Sequence, residues 1–511
     1  MRKVLRGKCL WQLATVVLLP TLSYLGGLTN PFTAESYDWL SWVAFPDVRT
    51  WYVEYLGYQF RPLRFLILYP MWQLFGLDPL PYHLLDLFFH ISCSILVFCL
   101  AWIISKRSDV GFVAGLIFSM YPRHHEVVSF VAAFYSPMMF FGLMTFCLFM
   151  LFLNLRKPGI YALSLVIFIF ALLSCEVVAT LLPLMYVAEW LTTLPARNHR
   201  PLFSYRTWKK YIPFATLVGL DAAIALSTQT STKLSGASSS YHFTGMGIEG
   251  IKAFASYIVY LMYPQIRLRT LDVGVVTIAL SLITAALLLW FLLKGSKLVR
   301  LGVLWMVVTI VPFVLFVPFG NQERYFYLPT VGYSLALGAC AVEVWGSLER
   351  SRVWIGRVLI VSLLAFFVLS SVFIVRQRVC ERFVAGTIAS DTVAQVKWFY
   401  PQVPEGSRMY FVNLPRDYNG AHIFHAGIEG AMHLAYSDRT ISALYNWDTK
   451  IAQKLAGDND RGQGWSVPGI YVFIYQDGRI YDKTASYTVF RDDLANTCWY
   501  DRFDLLCPES E

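Results

Sequence analysis

Charge is scarce in this chain. Lys, Arg, Asp and Glu make up 15% of its 511 residues, where a soluble globular chain carries about 25%. That shortage excludes an ordinary water-soluble domain. Paired cysteines at metal or redox spacing are also missing: there are nine cysteines and no CxxC. Most lie inside apolar runs, where a free thiol behaves as a small hydrophobe. Cys498 and Cys507 fall in a polar region; they either pair, if that region is extracytoplasmic, or stay as two thiols. HExxH is absent, which argues against zinc. The HHE and DxxxH segments could offer ligands to a divalent cation, but no metal and no cofactor is expected. GxxxxGK[ST] is missing as well, so this is not a nucleotide-driven pump. No internal repeat and no low-complexity tract is present.

What the chain does have is grease. Hydrophobic residues are 57% and aromatics 16%, and mean hydropathy is +0.52. The sequence reads as a polytopic α-helical membrane protein. Its net charge of +9 does not call for nucleic acid, because most Lys and Arg sit in short loops between apolar runs, as the positive-inside rule requires. The basic start "MRKVLRGK" leads into an apolar run with no small-residue cleavage site, so it reads as an uncleaved first helix.

At roughly 20 apolar residues per crossing, spans are expected at 10–28, 83–104, 109–121, 137–155, 158–173, 176–194, 210–227, 272–293, 300–318, 328–346 and 354–375. Two further apolar segments, 61–79 and 249–264, each contain a proline. The basic loops at 105–107, 156–158, 197–210, 294–300 and 349–357 share one side with the N-terminus only if neither segment fully crosses. The expectation is therefore about eleven crossings plus two half-inserted helices. The other side then holds 29–82, 122–136, the turn near 174–176, 228–271, 319–327 and everything after about 376.

The composition changes at the C-terminal end. Two domains are expected, 1–378 in the membrane and 379–511 as a small extracytoplasmic α/β or α+β domain. "SRMYFVNLP" and "GIYVFIYQDGRIYD" read as strands, the second a hairpin turning at Asp477-Gly478. "FVAGTIASDTVAQVKWFY" and "AHIFHAGIEGAMHLAY" read as helices.

The unusual polar residues gather on one side of this topology. Glu35 and Asp38 follow the first span, Arg61 opens "RPL", and His83, Asp86 and His90 start the next span. His124, His125 and Glu126 emerge at the same face, Glu176 sits in an outer turn, and Glu323, Arg324 and Tyr325 lie in "NQERYFYLP". Each has a plain reading: loop acids are solvated, and histidines at a helix start bond to neighbouring helices. Glu323 and Arg324 are adjacent, so they cannot form a simple pair on one helical face. Charges near hydrocarbon cost about 2.5–3.5 kcal/mol each on insertion scales, and scattered snorkelling would not select a single face.

In their order these motifs resemble the GT-C class of integral membrane glycosyltransferases. Within it they are most similar to the protein O-mannosyltransferases with transmembrane and tetratricopeptide parts, and to their bacterial relatives. The matching stretches are "ESYDW", Arg61-Pro62-Leu63, "GLDPLPYHLLDLFFH", Tyr121 to Glu126, Cys175-Glu176 and Glu323 to Pro329, spread over about residues 10–375. The tetratricopeptide repeats are absent. Asp86, Tyr121 and Cys175 stand where the family has Asn, His and Lys, and the acidic pair is Glu-x-x-Asp rather than adjacent.

The resemblance implies sugar transfer from a polyprenyl-phosphate-linked donor to a hydroxyl of a glycan, lipid or protein acceptor at the outer membrane face, with inversion. Asp38 is the expected general base, with Glu35 second. Arg324 is expected to stabilise the leaving phosphate, assisted by Arg61 or His124. Glu126 would orient His124 or the acceptor, and His83, His90, Glu176, Glu323 and Tyr325 would line the substrate site. Membrane lipids are partners and nucleic acid is not. The short connecting loops and compact tail point to a plasma (inner) membrane, with the N-terminus cytoplasmic by the positive-inside rule. Alternatives are a surface-polysaccharide polymerase or ligase, a lipid-sugar transporter, and a scaffold with a decayed site.

Overall fold

Proline and left-handed basic residues punctuate the helices. The computed structural model describes residues 2–46, 60–131, 134–193, 208–234, 247–265, 275–316, 322–350, 353–425, 427–446, 469–485, 499–501 and 504–506. In chain order the helices are α1 (Arg2–Tyr24), α2 (Ser36–Ala44), α3 (Pro62–Phe75), α4 (Pro79–Ser105), α5 (Ser108–Ser119), α6 (His125–Val128), α7 (Tyr135–Leu155) and α8 (Pro158–Leu172). Then come α9 (Leu181–Thr193), α10 (Ile212–Leu234), α11 (Ile248–Met262), α12 (Val275–Lys294), α13 (Lys297–Phe316), α14 (Pro329–Arg350), α15 (Trp354–Phe399) and α16 (Ile428–Tyr436). α3, α4, α8 and α14 open on proline, whose missing N–H costs nothing in a first turn. Lys106 and Arg156, at φ 60° and 57°, end α4 and α7.

Six helices among the described residues are long and apolar enough to cross a membrane: Cys9–Gly27, Pro79–Ser105, Tyr135–Leu155, Lys297–Leu315, Pro329–Arg350 and Trp354–Phe399. The chain is an integral membrane protein. Several expected crossings are shorter. α5 has 12 residues, α8 15 and α9 13, and 12 residues span about 18 Å at 1.5 Å each. α5 stops early because Tyr121 precedes Pro122, which disfavours helical backbone at the residue before it. It lies close on α4: a Cβ at Gly111 would come within 2.7 Å of the Phe98 carbonyl oxygen. The segments expected to dip into the membrane contain α3 and α11, of 14 and 15 residues.

The C-terminal sheet is mixed. Its strands are β1 (Arg408–Val412), β4 (Ser442–Asn446), β5 (Ile470–Gln476), β6 (Arg479–Asp482), β7 (Trp499–Asp501) and β8 (Asp504–Leu506), while β2 (Asp417–Tyr418) and β3 (Ala421–His422) form a separate ribbon. The sheet order is β6-β5-β1-β4-β7-β8, parallel at β5-β1-β4 and antiparallel outside. β5 and β6 form the expected hairpin, with Asp477 and Gly478 both left-handed. The stretch "AHIFHAGIEGAMHLAY" is helical only from Ile428. Before it, Ala421–His422 pairs as β3, and the Ile423 carbonyl accepts from Ala34 N–H at 2.7 Å instead of continuing a helix. Cys498 and Cys507 lie outside the described residues.

α15 is one helix of 46 residues. It begins as an apolar span and ends in the tail, so the expected boundary at 378/379 falls inside it. Its middle packs on the loop after α1: Asn30 Nδ2 donates to the Val379 carbonyl at 2.9 Å, and a Cβ at Gly386 would meet the Pro31 carbonyl oxygen at 2.6 Å.

Candidate functional site

The site forms where five short pieces meet: the first turn of α2, the turn 122–128, the 3-10 turn 323–326, the middle of α15, and the tail segment 421–430. Glu323 and Arg324, adjacent in sequence, reach different partners. Arg324 donates its backbone N–H to Glu126 Oε2 at 2.9 Å, while its Nη1 lies 3.5 Å from Glu35 Oε2 and 3.7 Å from Glu126 Oε1. Glu323 accepts from Arg123 Nη1 at 3.1 Å, pairs with His125 Nε2, and lies 3.6 Å from Arg378 Nη2. Three motifs nearly 300 residues apart are thus knitted into one buried ionic network. Such a network holds only while every charge keeps its partner.

The tail closes the site from the other side. His425 Nδ1 is 3.6 Å from Glu35 Oε1, and its ring lies tilted by 51° against His422 at 4.7 Å between centroids. Gly430 N–H donates to Asp38 Oδ1 at 3.2 Å. Ser41 Oγ and His433 Nδ1 are 3.1 Å apart, and His433 Nε2 is fixed on the Ile441 carbonyl at 2.7 Å. The acidic segment after the first span is therefore gripped by the tail domain.

The expected site residues do not all meet. Glu35, Glu126, Glu323 and Arg324 come together, while Asp38, one turn after Glu35, is held by Gly430 of the tail. His83 is held elsewhere, with Nε2 3.1 Å from the Asn30 carbonyl oxygen. His90 and His124 lie on the bundle side: His90 contacts Tyr327 Oη and the Ser119 carbonyl, and His124 is fully buried among the rings of Phe118, Tyr121, Tyr327 and His90, at centroid distances of 4.6–5.4 Å. The turn sends Arg123, His125 and Glu126 to the charges and His124 inward, so the structure does not bring His124 to the acids. Arg61 and Glu176 form their own two-pronged pair at 2.7 and 3.0 Å. Tyr325 stacks on Phe313 at 4.8 Å, with Arg324 Cζ 5.8 Å from its ring centre.

Sequence reasoning gives Arg123 no role of its own and passes over Arg378, Arg382, His422 and His425. The i, i+4 arginines in "RQRVCER", at the end of a long apolar span, were the available signal for two of them. No group of three or more His, Cys, Asp or Glu among the described residues is placed to hold a metal ion.

Burial pushes the Glu35 carboxyl up, but Arg324, His425 and His422 outweigh it and hold it below the ordinary range. Glu323 behaves alike: burial raises it, and His125, Arg123 and Arg378 bring it far below. Burial and then His425 push the His422 ring down to about 3. An unfolded histidine takes its proton near pH 6.5. Between there and about 3 the unfolded chain binds more protons, so stability is lost as pH falls through that window. The two carboxylates contribute fully above about 4.3 and less below it, in the same direction. Thermal unfolding should therefore shift to lower temperature from about pH 6.5 downwards, and His422→Gln should flatten the upper part of that decline. A wild-type midpoint that stays level down to pH 4.5 would contradict the reading.

No known protein family profile matches the chain, and no curated protein matches it. Among solved structures it is similar to the crystal structure of the Archaeoglobus fulgidus oligosaccharyltransferase complexed with Zn and sulfate, at 10% identity and a TM-score of 0.42. The match covers 93% of this chain and 73% of that one. A likeness of that size carries no conclusion about the reaction, which rests on the site.

Proposed function

We propose that this chain is a GT-C-type glycosyltransferase that moves a hexose, mannose-like, from a polyprenyl-phosphate carrier to an acceptor hydroxyl, with inversion. The observation that carries this is the union of "ESYDW", "HHE" and "ERY" through Glu35, Glu126, Arg324, Glu323 and Arg123. Those motifs match the family in order, and the contacts give their spacing a common purpose. The site sits in the outer face of a plasma membrane, with the tail outside and the N-terminus in the cytoplasm.

The acceptor oxygen attacks the anomeric carbon and forms the new C–O bond. The bond from that carbon to the phosphate oxygen breaks, and its electron pair leaves on the polyprenyl phosphate. The hydroxyl proton passes to a carboxylate, and Asp38 is that base. Glu35 is held by Arg324 and His425, so its work is to shape the cluster. Arg324 is engaged by two carboxylates and orders the acids rather than gripping the phosphate. The tail, which reaches Asp38 through Gly430, guides the acceptor.

The test is transfer of radiolabel from polyprenyl-phosphate sugars to a membrane extract, with wild type beside Asp38→Asn. Loss of a base should cost about 10²–10⁴-fold. Equal transfer by both proteins would remove Asp38 from this role. No transfer by wild type with any donor would remove the transferase reading.

A further inference from the structure

Arg382 is a buried charge without a counter-charge. It lies on α15 one turn beyond Arg378 and is 8% exposed. Arg123, Arg324 and Arg378 each reach a carboxylate, at 3.1, 3.5 and 3.1 Å. Arg382 makes no hydrogen bond and no ion pair with any described residue, and its buried Nε is unsatisfied. Its one close neighbour of note is the face of Phe130, 5.2 Å from Cζ. A buried guanidinium left this way is costly, and buried charges are as a rule paired.

Three histidines near it are also incompletely bonded. Nδ1 of His83, His125 and His422 are all buried without a hydrogen-bond partner. Arg382 acts electrostatically on each of these three rings. They come from α4, α6, the ribbon strand β3 and, with Arg382 itself, α15. Four elements thus present a planar five-donor fork and three imidazoles whose Nδ1 becomes a donor only when the ring takes a second proton, the form an adjacent anion favours, and no anion among the described residues completes them. Glu126 and Glu323 act on Arg382 only through space, since both are already engaged by other arginines. What fits is a group with several strong acceptor oxygens and a negative charge, which the phosphodiester of a lipid-linked sugar and the phosphate monoester it leaves behind both supply and an arginine fork recognises.

We propose that Arg382, with His83, His125 and His422, is the seat of the donor's phosphate, and that the tail domain completes this site by supplying His422. The proposal rests on the lipid-phosphate reading above and assigns it a place the family motifs do not contain. Arg382 acts on histidines from both halves of the protein, so the site is whole only when the tail is docked.

The experiment measures binding of undecaprenyl phosphate to the full chain in nanodiscs, by native mass spectrometry, for wild type, Arg382→Gln and Arg382→Lys. Undecaprenol, phosphatidylglycerol and inorganic phosphate are run beside it, and thermal unfolding is followed without lipid. Arg382→Gln should weaken undecaprenyl phosphate binding by roughly tenfold or more, and Arg382→Lys by less. Undecaprenol should be unaffected. The empty Arg382→Gln protein should unfold at the same temperature as wild type or above, because it no longer buries an unpaired charge; a merely structural arginine would give the opposite shift. Unchanged undecaprenyl phosphate binding by Arg382→Gln would overturn the proposal, as would equal losses for undecaprenol. If phosphatidylglycerol or inorganic phosphate binds as well and with the same dependence on Arg382, the assignment to the donor is overturned. Wild type that binds undecaprenyl phosphate through Arg382 but transfers no sugar would leave this site standing and sink the transferase reading alone.

Discussion

Gly427→Ala should disable the site without touching one of its charged residues. Gly427 sits at φ −84°, where any residue is at ease, so glycine is not there for its backbone freedom. It is there for room. An added Cβ would fall on the Ala34 carbonyl oxygen and lie 2.7 Å from the Ala34 carbonyl carbon. Both are main-chain atoms, and no side chain can swing aside. Ala34 is held further by its own N–H, which donates to the Ile423 carbonyl at 2.7 Å. The two segments must separate, and Glu35 is the next residue in the chain. Its contacts at 3.5 Å to Arg324 and 3.6 Å to His425 cannot survive a shift of an ångström or more. Misplacement on that scale costs about 10²-fold in rate, with overpacking adding about 1–3 kcal/mol of destabilisation. Sugar transfer and limited proteolysis of the tail should both register it. Wild-type rates in Gly427→Ala would mean that the tail does not position the acids.

Glu323→Gln should be the most damaging single exchange for stability. Glu323 is the shared partner of Arg123, Arg378 and His125, and the Arg123 side chain is 2% exposed. The amide keeps the shape and loses the charge. Arg123 then retains the Tyr260 carbonyl at 3.2 Å and the rings of Tyr260 and Phe326, none of which carries a formal negative charge. Removing one member of a buried ionic group costs about 3–5 kcal/mol, because the remaining charge is left uncompensated. The thermal midpoint in detergent should drop by many degrees. Pairing the change with Arg123→Met should recover part of the loss, since two apolar or neutral groups replace a broken pair. A double variant no better than the single one would show that Arg378 and His125, not Arg123, carry the cost.

The parts of the site that sequence could reveal are those written as local patterns. "ESYDW", "HHE" and "ERY" stand out because acids, histidines and arginines are expensive beside apolar runs. The Asp477-Gly478 turn stands out because few dipeptides accept two left-handed residues. The tail's share was hidden for a physical reason. Gly430 meets Asp38, and Ser41 meets His433, across 392 positions, and no periodicity announces a contact of that range. Gly427 reads as an ordinary loop glycine until Ala34 is seen against it. His124 shows the reverse error. It shares a charged motif with Glu126 but occupies the opposite side of a tight turn, which residue type alone does not disclose. From sequence α15 reads as a span followed by a separate tail helix because its hydropathy changes near residue 376. Helical geometry has no such break, since no proline interrupts Trp354–Phe399.

That unbroken helix does more than join two halves. Over 46 residues it runs about 69 Å at 1.5 Å per residue, and it turns about 100° at each step. A flexible linker can gain or lose a residue with little effect on what it joins. Here a single residue added between Ile374 and Arg382 would swing everything beyond it a quarter of the way around the axis. The bearing of the tail about the bilayer normal is therefore counted in residues, like the phase of a screw. Membrane span and tail share one angular register, and the chemistry placed between them inherits it.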